Sequence, residues 1–205
     1  MLRNVKMGGV ILVSLIALAT QMTSCRSAKS GPGPGEKEVN TNPAIEYAEA
    51  KPTLRQWGEG TAFSLSDATA YAELDARAKF TRALETTVTS AQDNFNQQHS
   101  KASSDGRNGS GLHTDEVNER HNLSSSVASN VIKNTTVVKS SRYQKTDGQY
   151  HVYVTIEYKG EISDLAADLA KNVGQQLSDE EKMRIDYDYE KYKKQVMEEL
   201  QRMGK

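Results

Sequence analysis

The chain has 205 residues, of which 36% are apolar and 26% charged, and its formal net charge is −1. This composition suits a folded globular protein better than a disordered one, and the near-neutral balance removes any strong electrostatic case for a nucleic-acid partner while leaving room for a local patch. The single cysteine excludes an internal disulfide, so packing alone must hold the core.

Residues 1–24 have the layout of an export signal. Arg3 and Lys6 supply a positive start, and Val10 to Ala19 is an apolar run too short to cross a membrane core of about 30 Å as a helix. Met22-Thr23-Ser24 then leads into Cys25 and resembles the bacterial lipobox, with Met in place of the commonest Leu and Ser in place of Gly or Ala. The expected processing is cleavage before Cys25 and attachment of lipid to its thiol, the most nucleophilic side chain for the purpose. Two or more acyl chains, at about 0.8 kcal/mol per buried methylene, make such an anchor long-lived. Arg26, not an acidic residue, follows the cysteine. By resemblance to lipoprotein sorting, this implies passage to the outer membrane, with either face open.

Residues 25–53 read as the lipidated cysteine and a tether. Gly31-Pro32-Gly33-Pro34-Gly35 blocks helix and sheet alike, and a coil of this length spans on the order of 30 Å. A folded domain is expected over residues 54–160, followed by a helical extension over residues 161–205.

Arg55 to Ala62 predicts a strand in which Gly58 and Gly60 allow close backbone approach. Trp57 reads as a packing anchor. A long helix follows, capped by Ser64 or Ser66. Ala68, Ala72, Ala76, Phe80, Leu84, Val88, Ala91 and Phe95 draw one apolar stripe along it. The alanines in its first half admit a closely packed neighbour.

His99 to Thr114 is polar and glycine-rich, which predicts a loop. A weaker helix spans Glu116 to Ser129, with Val117, Leu123, Val127 and Val131 as sparse apolar marks. Two strands come next, Val131 to Gln144 and Gln149 to Tyr158, joined by a turn carrying Asp147-Gly148. In the second strand Tyr150, Val152, Val154, Ile156 and Tyr158 share one face, and His151, Tyr153, Thr155 and Glu157 the other. Asp164 to Leu177 predicts a helix with Leu165, Leu169, Val173 and Leu177 inward. Ser178 and Glu181 then have capping-box spacing, opening a last helix with Tyr189, Tyr192, Val196, Leu200 and Met203 on one stripe.

This order of elements resembles the LPP-twenty lipoprotein family. The resemblance is carried by Trp57-Gly58-Glu59-Gly60, the alanine-spaced helix from Ala68 to Leu84, Tyr150 to Val154, and Lys182 to Tyr192. It implies an envelope lipoprotein whose small domain has a dodecin-like β-α-β-β arrangement, and it transfers no catalytic residues. The fold class expected is therefore α+β, a small antiparallel sheet on a long helix with further C-terminal helices.

No catalytic constellation is evident. His99, His113, His121 and His151 form no close pair, and His113 and His121 with Glu116 do not make a zinc site while His113 sits in loop sequence. There is no nucleophile elbow and no phosphate loop. Asp186 and Asp188, two apart, point to different sides of a helix. Neither metal nor cofactor is expected. The reading that remains is a membrane-anchored, non-catalytic binding or scaffold module. Its partner would be an envelope protein or a second copy, met through His151, Tyr153 and Thr155, the terminal helix or an unpaired sheet edge. The alternative is an envelope hydrolase acting on peptidoglycan or glycan, with a site assembled from distant carboxylates or histidines.

Overall fold

The computed structural model describes the backbone of residues 42–100 and 114–204 and the side chains of residues 42–97 and 120–204. The signal peptide, Cys25 and the glycine–proline run lie outside the described residues, as do residues 101–113 of the loop expected over His99 to Thr114 and the side chains of His99, His113 and Val117. The two ends of that expected loop are helical, one helix running to Ser100 and the next starting at Thr114.

The described residues form an α+β unit. In chain order it comprises α1 (Pro43–Glu49), β1 (Arg55–Ala62), α2 (Leu65–Ser100), α3 (Thr114–Val131), a 3-10 turn (Ile132–Asn134), β2 (Thr135–Gln144), β3 (Tyr150–Tyr158), α4 (Ile162–Gln176), α5 (Asp179–Arg184) and α6 (Tyr189–Met203). The three strands make an antiparallel sheet in the order β1-β3-β2.

Local chemistry accounts for most boundaries. Ser64 Oγ accepts from the Asp67 N–H at the start of α2. Every residue of the expected α2 stripe is buried, from Ala68 to Phe95. The β2–β3 hairpin turns at Gly148, whose φ of +86° suits a residue without Cβ. The expected capping box is present at α5: Ser178 Oγ accepts from the Glu181 N–H at 3.2 Å, and Glu181 Oε2 accepts from the Ser178 N–H at 2.7 Å.

One face of the sheet packs on α2 at very short range. A Cβ placed on Gly58 would lie 2.2 Å from Ala76 N and 2.4 Å from Ala72 O, and one on Gly60 would lie 2.3 Å from Ala68 O. The two glycines and the three alanines are thus opposite halves of one contact, in which backbone meets backbone. Beyond the sheet α2 meets α6. Phe95 lies edge-on to Tyr192 at 5.4 Å, Tyr187 and Tyr192 are 5.5 Å apart, and Asn94 Nδ2 donates to Glu199 Oε1 at 2.8 Å.

Four expectations need correction. The tether does not reach Thr53, because Asn42 caps α1, which is folded against the sheet. The boundary at residues 160/161 does not divide the structure: Leu165, Leu169, Val173, Tyr192, Val196 and Leu200 belong to the same core as Val152, Val154 and Ile156. β2 starts at Thr135, not Val131, since Val131 is buried as the last residue of α3, one turn beyond Val127. Finally, the last helix is broken at residues 185–188. There Asp186 takes a left-handed φ of 48° and Asp188 caps α6 through Lys191 N–H, so the two aspartates lie in a joint and not around one helix. The break lets Tyr187 turn inward, where its hydroxyl donates to Ala170 O at 2.7 Å beside Gly174.

Candidate binding surface

The sheet face turned away from α2 carries the three residues expected to meet a partner. The register sets Trp57 beside Thr155, Glu59 beside Tyr153 and Thr61 beside His151 on one side, and Lys139, Ser141 and Tyr143 beside the same three on the other. The structure brings two of the three together on a half-open surface and removes the third.

Thr155 is fully buried. Its hydroxyl donates to Ala44 O at 2.5 Å, beneath α1. It cannot touch a partner while α1 is in place, so its assignment as a contact residue is corrected. Alternation in β3 identified the face that points away from the core helix, but that face is covered at one end by a helix from the supposed tether. Ala44 and Ala48 are its buried residues.

Arg55 fastens this helix. The guanidinium bridges Glu157 Oε1 at 3.0 Å, donates to Tyr47 O at 3.0 Å and lies 3.8 Å above the Tyr47 ring. A planar fork that stacks and donates at once is what an arginine provides and a lysine does not. At the other end of the helix Asn42 Nδ2 donates to the Tyr143 hydroxyl at 3.2 Å.

The uncovered part of the face is aromatic. Tyr153 lies at its centre, 4.5 Å from the His151 ring, 6.2 Å from Tyr143 and 6.3 Å from Trp57. His151 Nε2 pairs with Glu59 Oε2 at 3.2 Å, so the imidazole is held in place by a half-exposed carboxylate. Burial, with Glu59 and then Tyr143 nearby, pushes the Tyr153 hydroxyl above the usual tyrosine value, and the phenol stays neutral and able to donate.

Trp57, expected as a packing anchor, is half-buried on this outer face and not part of the core, with Lys79 Nζ 4.0 Å from its ring centroid. Lys79 also bridges Asp75 at 2.7 Å, and Asp75 Oδ2 accepts the Glu59 N–H at 3.1 Å. Burial acts to raise the Asp75 carboxyl. The hydrogen bonds from Lys79 and the Glu59 backbone, with the charges of Lys79 and Arg82, outweigh it and hold the carboxyl below the usual aspartate value. This carboxylate occupies an edge amide that would otherwise be open to another strand.

Glu59 and Tyr143 were not anticipated as members of this surface. The hairpin signal could have found Tyr143, because counting back from Asp147-Gly148 sets it opposite His151. Glu59 needs the β1–β3 pairing, which no local signal carries. Among the described residues no three His, Cys, Asp or Glu side chains are grouped as a metal site, and His121 is exposed on α3. No family model, curated protein or solved structure matches the chain.

Proposed function

We propose that this chain is an exported bacterial lipoprotein, anchored through Cys25, that works as a non-catalytic binding module of the cell envelope. The observation that carries the reading is the order positive start, ten-residue apolar run, small residue, cysteine, in a chain with no other cysteine. The fold is compatible with it. The described unit is a compact α+β body beginning by Asn42, and no helix among the described residues is long and apolar enough to cross a membrane. The half-open aromatic face around Tyr153, where Glu59 holds the His151 ring, is suited to contact with a partner, since tyrosine and tryptophan give large contact area at low conformational cost. The LPP-twenty resemblance supports the same location and supplies no activity.

The test is metabolic labelling with palmitate in the native host, followed by mass spectrometry of the mature N-terminus. The expected result is a lipidated residue 25 with nothing before it, and loss of both label and membrane association in Cys25→Ala. A mature protein that begins elsewhere, or carries an unmodified cysteine, would end the proposal.

A further inference from the structure

The two edges of the sheet are treated differently. At β1 the helix α2 closes in, and Asp75 takes the Glu59 amide. At β2 nothing comparable is seen: β3 is the one described strand paired with it, and of its ten residues only Thr135 is buried. From Lys139 to Gln144 the register to β3 runs without irregularity, the bulge lying between Val137 and Lys139. This gives six residues of regular edge, all exposed but the half-buried Ser141, whose outward N–H and C=O groups are complementary to another peptide backbone in extended form.

The charge on that edge is one-sided. Lys139 and Arg142 make no ion pair among the described residues, and no carboxylate lies on β2, while Lys145 and Asp147 offset each other in the turn. The whole chain is close to neutral, so this is a local excess. Lys139 pairs with Thr155 and Arg142 with Val152, which places the two cations on opposite faces of the sheet.

These cations bear on what can dock. Two copies of β2 set edge to edge would crowd four such cations along one short ladder without a carboxylate, and like charges in facing positions oppose pairing. The bulge adds to that protection. A strand carrying acidic residues three positions apart meets both cations, one on each face.

We infer that the β2 edge from Lys139 to Gln144 accepts an extended acidic segment of a partner protein as a fourth strand. The inference rests on the chain being a binding module but not on its membrane attachment, so the two proposals fail separately.

The full chain, purified in detergent, is titrated into a dye-labelled eight-residue peptide of threonine and valine with two glutamates three positions apart. Fluorescence anisotropy should rise saturably. Binding should weaken by about tenfold or more for K139E/R142E, and a peptide with lysines in place of the glutamates should then bind the variant. N-methylation of alternate peptide amides should abolish binding. In the unsubstituted chain, amide exchange across residues 139–144 should slow when peptide is added, a readout that needs no variant. The inference is overturned by absence of saturable binding, by equal binding of the N-methylated peptide, which would mean charge adsorption alone, or by sedimentation of the chain as a dimer in which residues 139–144 are already protected from exchange without peptide. Binding confined to vesicles of phosphatidylglycerol would overturn it as well.

Discussion

Gly58 and Gly60 hold the sheet against α2 because neither has a Cβ where the helix presents backbone atoms, those of Ala72 and Ala76 at Gly58 and those of Ala68 and Ala72 at Gly60. Backbone on both sides leaves no flexible side chain to yield, so a single methyl must push strand and helix apart. Gly58→Ala should destabilise the fold by about 3 kcal/mol, the upper part of the usual range for overpacking. Urea unfolding followed through the fluorescence of Trp57 measures this. A variant as stable as the parent would show that α2 does not approach β1 so closely. The same contact shows what was readable at this scale. Small residues at positions 58 and 60 and at 68, 72 and 76 each announced a close neighbour, but nothing in the chain said that they were each other's.

Among the elements, α4 and α6 are joined through tyrosine. The Tyr187 hydroxyl is pushed up from 10.0 to about 12, first by burial and then by Tyr189 nearby, against the hydrogen bond with the Gly174 backbone, with Asp188 adding the least. Tyr192 is pushed well above the usual value by burial, with Tyr187 and Asp93 adding to it. A raised folded pKa means that the folded state holds the proton more tightly than the unfolded chain. The stability from Tyr187 is therefore complete below pH 10 and is lost as pH rises through about 12. Absorbance at 295 nm and far-ultraviolet circular dichroism, recorded along one alkaline titration, should show these buried tyrosines ionising only as helix content falls. If all nine tyrosines titrate near pH 10 with the helices intact, α6 is not packed through Tyr187 and Tyr192 as described. The long elements were legible because their stripes repeat over many turns. The seven residues of α1 were not, since two buried alanines in a short segment make no periodic signal.

At the scale of the molecule, the C-terminal helices complete the core and are not an extension of it. Phe95 meets Tyr187 and Tyr192, and the Tyr158 hydroxyl donates to Asp168 in α4 at 2.5 Å. A chain ending at Gly160 would uncover the parts of α2 and α3 that α6 and α4 cover, and the end of β3 at Tyr158. It should show no cooperative thermal transition, whereas the intact chain should unfold in one step. A sharp transition in the shortened chain would restore the two-part division expected from periodicity. Local spacing alone was enough to place β1, α2, β3, α4 and the hairpin turn, and to sort each face of β3, because steps of two and of three to four residues are imposed by backbone geometry within one element. Which of those faces is left open is a different kind of question. Thr155 is buried by Ala44, 111 residues away, and Glu59 meets His151 at a separation of 92. Such contacts follow from the way whole elements stack, and they leave no repeat in the chain to be read.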